Sequence, residues 1–117
     1  MDDILQATLL FDFYGELLTE KQKTIFEMFH LSDLTLSEIG QELGISRQAV
    51  RDQLKRTENI LLQYENKLRL VERFQQHKNS VKEMKKLLEI FESKYKDDKE
   101  AVSHIEKIKN IADDILD

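Results

Sequence analysis

Apolar residues recur every three or four positions along most of this chain, and the recurrence is interrupted at only a few places. Ile4, Ala7, Phe11, Tyr14 and Leu18 form one stripe, widened by Leu10, Phe13 and Leu17, which predicts a helix from about Asp2 to Leu18. Thr19 with Gln22 reads as a capping box, in which each side chain satisfies a free backbone N–H at the other's position. It opens a second helix whose apolar side, Ile25, Phe26, Met28 and Phe29, ends near His30 to Ser32. Thr35 with Glu38 opens a third helix in the same way, Gly44 ends it, and Ser46 caps a fourth.

Beyond that point Val50, Leu54, Thr57, Leu61, Tyr64, Leu68 and Val71 alternate steps of four and three, a coiled-coil-like seam. The fourth helix is therefore expected to run on for about 28 residues, roughly 40 Å at 1.5 Å per residue, with Asn79-Ser80 as the break. From Ser80, the residues Val81, Met84, Leu88, Phe91 and Tyr95 predict a fifth helix. Asp97 with Glu100 is expected to cap a sixth, carrying Val102, Ile105, Ile108, Ile111 and Ile115. The expected fold is all-α: a helix-turn-helix, then a long helix, then two further C-terminal helices. The expected division is a helix-turn-helix domain over 1–62 and a helical extension over 63–117, which shares the long fourth helix and can act as an oligomerisation element. A long helix paired with two shorter ones leaves Leu62, Leu70 and Phe74 poorly covered, which points to a homo-oligomer, a dimer above all.

Composition agrees with long helices. There is no proline, glycine occurs only at 15, 40 and 44, and 35% of residues are charged. Without cysteine there is no disulfide framework and no thiolate ligand or nucleophile. The opening Met1-Asp2-Asp3 lacks a positive leader region and no stretch approaches a membrane span, so a soluble cytoplasmic protein with no membrane insertion is expected.

Two elements concentrate the candidate chemistry in residues 35–56, TLSEIGQELGISRQAVRDQLKR. Gly40 permits close approach of two helices, and Gly44 supplies the left-handed turn between them. Ile39, Leu43, Ile45 and Val50 let the helices pack. Arg47, Gln48 and Arg51 then occupy the first turns of the second helix, the part that meets base edges when such a motif enters a major groove. Spacing of four places Arg47, Arg51 and Lys55 on one helical face opposite Val50 and Leu54, as a line of positive charge. With Arg56 they form the candidate nucleic-acid-binding set: Arg47, Gln48, Arg51, Lys55 and Arg56.

The net charge of −5 conceals a partition along the chain. Residues 1–46 hold 9 acids and 2 bases, residues 47–86 hold 5 acids and 11 bases, and residues 87–117 hold 9 acids and 5 bases, for net charges of −7, +6 and −4. Attraction to a phosphate backbone is thus local to the fourth helix and its continuation. Lys82, Lys85 and Lys86 form a second cluster that reads as a solvated face.

His30, His77 and His104 fall on three different helices with no partner at ligand spacing, so no metal site is expected. The acidic pairs Asp2-Asp3, Asp97-Asp98 and Asp113-Asp114 read as helix caps and solubilising charge. There is no glycine-rich phosphate loop, nucleophile elbow or zinc-protease signature. The expectation is a protein that is not an enzyme and carries no cofactor.

The segment LLTEKQKTIFEMF followed by LTLSEIGQELGISRQAV, about residues 17 to 62, resembles region 4 of bacterial sigma factors. By that resemblance Arg47, Gln48 and Arg51 stand where the sigma family contacts DNA. Ala49 and Asp52 depart from the pattern, which usually has a long polar or basic side chain there, and nothing resembles the sigma regions that bind polymerase or melt a promoter. Over its whole length, including the acidic opening LLFDFYGELLT and the charged tail, the chain resembles the YlxM family of small bacterial proteins. That resemblance implies an accessory or regulatory role in the signal recognition particle pathway, with the particle's RNA, its GTPase, or both as partners. It implies no catalytic residues. Two other readings stand beside it: a dimeric sequence-specific DNA-binding regulator, and a helical adaptor that binds protein through its apolar seams.

Overall fold

The computed structural model describes residues 4–117, and these are all helix, turn and short connection, with no strand. They divide into two compact units, the first ending at Val71 and the second spanning Glu72–Asp117. The first unit thus extends further than residue 62.

In the first unit, α1 (Ile4–Tyr14) is followed by a single 3₁₀ turn, Gly15–Leu17. The expected helix to Leu18 therefore tightens at Gly15, because the chain must become extended at Leu18 and Thr19 to start the next element. The expected start at Asp2 lies outside the described residues. Helix α2 (Glu20–Phe26) begins on the Thr19–Gln22 capping box, whose reciprocal bonds measure 3.2 and 3.0 Å. It runs into a π-helical turn, Glu27–Leu31, closed by Ser32 N–H donating to Glu27 O at 2.9 Å. Helix α3 (Leu36–Leu43) and helix α4 (Arg47–Leu68) complete the motif.

Two apolar clusters hold this unit together. Ala7, Leu10, Tyr14, Leu18, Phe26, Leu61 and Val71 form one, with the Phe11 and Phe26 rings stacked 5.2 Å apart. Ile25, Ile39, Val50 and Leu54 form the other, backed by Met28, Phe29, Leu34, Leu36 and Ile45. Alternate stretches of the α4 seam serve the two clusters: Val50 and Leu54 the second, Leu61 the first.

The long seam does not form one helix. Helix α4 stops at Leu68, with Arg69 left-handed at φ 53° as its C-cap, and α5 (Leu70–Lys94) then runs without interruption through Asn79 and Ser80. The expected break at Asn79-Ser80 is thus absent, and the real one lies earlier. Its physical reason is tertiary. The Leu70 and Val71 N–H groups, which a helix start leaves without partners, donate to the Tyr14 hydroxyl at 3.1 Å and to Glu65 Oε1 at 3.0 Å.

The second unit is the body of α5 with α6 (Lys99–Leu116), joined by a short turn. Asp98, rather than Asp97, caps α6, its carboxylate accepting from Ala101 N–H at 3.1 Å. Val81, Ile105 and Ala112 are the buried apolar residues of this hairpin. Lys85 pairs with Asp113, which holds its ammonium above the usual lysine range, and Lys109 Nζ stands 3.7 Å from Glu92.

Candidate nucleic-acid interface

Sequence signals at the motif translate directly into geometry. Thr35 Oγ1 accepts from Glu38 N–H and Glu38 Oε1 accepts from Thr35 N–H, both at 3.1 Å, so the N-terminus of α3 closes on itself. Gly44 adopts φ 68°, ψ 33°, the left-handed turn that a residue with a Cβ enters at a cost. A Cβ on Gly40 would lie 2.7 Å from Ile45 O, so only glycine lets α3 approach the start of α4 this closely. Ser46 Oγ accepts from Ala49 N–H at 3.0 Å and fixes where α4 begins. Ser37, Gly40, Gln41, Gly44, Ile45, Ser46 and Arg47 border a shallow depression over the turn, of about 460 Å³.

Four residues of α4 turn by about 400°, so each step from Arg47 to Arg51 to Lys55 advances roughly 40° around the helix. All three are exposed, and so are Gln48 and Arg56. They do not lie opposite the buried seam as the spacing suggests. Arg51 and Lys55 stand beside it, sharing with Phe29, Leu36, Leu54 and Glu58 the wall of a recess of about 290 Å³. Arg56 lies about 140° around the helix from Arg51 and so belongs to a different face. The structure thus brings Arg47, Arg51 and Lys55 into one strip and leaves Arg56 outside it.

Among the described residues no acid lies within ion-pair reach of Arg47, Arg51, Lys55 or Arg56, whereas Lys23, Lys85 and Lys109 are each engaged. Lys23, for example, donates to Glu16 at 3.1 Å, which holds its ammonium above the usual range. The strip's charges therefore stay available to an external anion. Of the second lysine cluster, Lys85 is committed to Asp113, and Lys82 and Lys86 are exposed.

Two features around the strip escape sequence reading. The Gln48 side-chain amide donates to Asp52 Oδ1 at 3.0 Å, one turn on, so a candidate base-reading group is tied to the helix's own acid. The spacing of four carries that signal, and it is legible in retrospect. His30, in the π-helical turn, places Nε2 3.0 Å from Glu58 Oε1. Its ring lies tilted at 37° against Phe26, with centroids 4.4 Å apart, and meets Phe29 edge-on at 5.0 Å. No local spacing joins His30 to Glu58; only the packing of the turn on α4 does. Glu58, the acid on the recess wall, is thereby partnered by a histidine from another element.

No three His, Asp or Glu side chains converge on a common point among the described residues. No helix among them is long and apolar enough to cross a membrane.

Comparison of the sequence with known proteins places the chain in a family. The family described as "Putative helix-turn-helix protein, YlxM / p13 like", UPF0122, matches residues 1–111. A UPF0122 protein of Thermoanaerobacter sp. strain X514 is 51% identical over 96 residues, 82% of this chain and 82% of the relative. One from Bacillus mycoides strain KBAB4 is 46% identical over 108 residues, 92% of this chain and 98% of the relative. Another, from Bacillus thuringiensis strain Al Hakam, is 44% identical over the same length and with the same coverage. The turn glycines, the paired capping boxes and the all-helical build are those of a helix-turn-helix protein, and the chain belongs to the UPF0122 (YlxM / p13-like) family.

Proposed function

We propose that this chain is a non-enzymatic accessory protein of the signal recognition particle pathway that binds the particle's RNA, its GTPase, or both, with the strip Arg47, Arg51 and Lys55 as the contact to RNA. The observation that carries the nucleic-acid part is that these three cations are exposed, lie in sequence along one rigid helix, and have no described acid within ion-pair reach. A polyanion that neutralises them releases its counterions, which drives binding without any base being read. The bond from Gln48 to Asp52 supports a reading of shape and backbone over one of base edges, since one N–H of that amide is engaged and an acid stands beside it. Duplex RNA suits that chemistry, because its major groove is too deep and narrow for side chains to read. The pathway assignment rests on the resemblance to the YlxM family.

Fluorescence anisotropy with labelled particle RNA over a salt series tests this reading. Binding is expected at low salt, with Arg51→Gln and Lys55→Gln together weakening it and flattening the log–log salt slope by roughly 0.7 to 0.9 per lost phosphate contact. If neither the RNA nor the GTPase is bound at low salt, the reading is wrong.

The exposure of Arg47 and Gln48 in the first turn of α4 favours a second reading, a DNA-binding regulator that inserts this turn in a major groove. It requires protection of a discrete duplex, and a sequence preference that Arg47→Ala or Arg51→Ala relaxes by about 1 to 3 kcal/mol per lost bidentate contact. A helical adaptor would instead bind protein with no such salt slope.

A further inference from the structure

We propose that two copies of this chain associate through the open apolar face of the hairpin formed by α5 and α6, closing a four-helix bundle. The sequence expectation of self-association rested on Leu62, Leu70 and Phe74, and the structure moves it elsewhere. Leu62 packs on the first unit's core and Phe74 is half-buried with Lys78 over its ring. Leu70 stays 38% exposed, but the larger continuous uncovered surface lies further along the chain.

Two helices can bury only the stripes that face each other, here marked by Val81, Ile105 and Ala112. The next stripe around each helix is also apolar, and both lie on the same side. Met84, Leu87 and Leu88 of α5 meet Ile108, Ile111 and Ile115 of α6 around one open groove of about 280 Å³ that no charged side chain lines. Leu87 and Ile111 are 60% exposed, Ile115 54%, Met84 48% and Ile108 47%, and Phe91 extends the stripe at 54%.

Area and charge together select a second copy as the occupant. Six side chains at half exposure offer roughly 100 Å² each, so two copies would bury about 1,200 Å², the lower bound of a standard stable interface. Residues 72–117 carry 11 acids and 10 bases, so two hairpins meet without mutual repulsion, and an acidic or basic partner finds no net charge to attract it. The internal pairs Lys85–Asp113 and Lys109–Glu92 involve none of the groove residues. Steps of three and four, Met84, Leu87, Phe91 on one helix and Ile108, Ile111, Ile115 on the other, are those that interdigitate in a bundle. About a two-fold axis such a face is complementary to itself.

Sedimentation velocity and light scattering on the full chain at tens of micromolar test the proposal. The expected mass is twice 13.9 kDa. Leu87→Glu and Ile111→Glu should each give monomers, while Glu106→Lys, exposed on the far side of α6 at about 140° around the helix from Ile111, should stay dimeric. Circular dichroism checks that helix is retained. Should the glutamate variants lose helix, the milder pair Ile108→Ala with Ile111→Ala keeps helix propensity and is expected to weaken dimerisation by roughly tenfold or more, read by dilution. A wild-type monomer at these concentrations overturns the proposal, as does a dimer whose affinity none of the groove substitutions changes. RNA binding by the Leu87→Glu chain is read separately, so failure of this proposal leaves the role of the α4 strip to its own test.

Discussion

The Tyr14 hydroxyl donates to Glu65 Oε1 at 2.5 Å while accepting from the Leu70 N–H, so one phenol on α1 ties the last turn of α4 to the first turn of α5. Glu65 Oε1 accepts in addition from Val71 N–H. Two backbone donors released by the break at Arg69 are thereby satisfied, and the ring itself is buried beside Tyr64 at 5.9 Å. This arrangement replaces the continuous helix that the apolar spacing alone suggests.

Tyr14→Phe keeps the packing and removes both bonds, and it is expected to cost about 1 to 2 kcal/mol in urea unfolding. Burial, with the bond to Glu65 second, pushes the Tyr14 hydroxyl above its ordinary 10.0, so the folded chain favours the protonated phenol. The corresponding stability is complete below pH 10.0 and is lost as pH rises through the folded value. The wild type should therefore show an alkaline loss of stability that Tyr14→Phe lacks.

The two motif glycines are there for different reasons and should respond differently to alanine. At Gly40 a Cβ meets the Ile45 carbonyl, which is backbone and yields little, so Gly40→Ala should cost about 2 to 3 kcal/mol and loosen α3 from α4. At Gly44 the space is open and only the left-handed conformation objects, so Gly44→Ala should cost about 1 to 2 kcal/mol. Thermal unfolding of the two variants side by side reads the order.

The Thr35 N–H, bonded to the Glu38 carboxylate, holds that carboxyl below its ordinary 4.5. A depressed acid stabilises the fold above its ordinary value, and that stability falls away as pH drops through the lower folded value. Unfolding midpoints between pH 6 and 3 should accordingly fall less in Glu38→Gln than in the wild type. Thr35→Ala, which removes the other half of the box, should cost about 1 kcal/mol at neutral pH.

Asp52 is the acid nearest the cationic strip by sequence, and Gln48 holds it on the helix surface. If phosphate attraction governs binding, Asp52→Asn should tighten RNA binding by roughly twofold to threefold at low salt, with the gain shrinking as salt is raised. A pair that positions Gln48 for base reading would instead lose affinity on the same substitution. Anisotropy titrations at two salt concentrations separate these outcomes.

What the sequence determined by itself was most of what is written within about one helical turn, the Gln48–Asp52 bond and the exact cap of α6 at Asp98 apart. The capping boxes at Thr19 and Thr35, the Ser46 cap, the left-handed Gly44 and the close approach at Gly40 are contacts between residues no more than about five apart, so residue type and spacing suffice. They establish the all-helical class, the helix-turn-helix and the strip Arg47, Arg51 and Lys55. Tertiary structure decided what depends on residues far apart in the chain. Tyr14 and Glu65 place the break at Arg69, because the donors freed there need acceptors that only α1 and the end of α4 supply. His30 finds Glu58 across 28 positions. The apolar repeat announces that α5 and α6 each carry a buried stripe, but which side of each stays open depends on how two helices turn towards each other, and period alone is blind to that rotation.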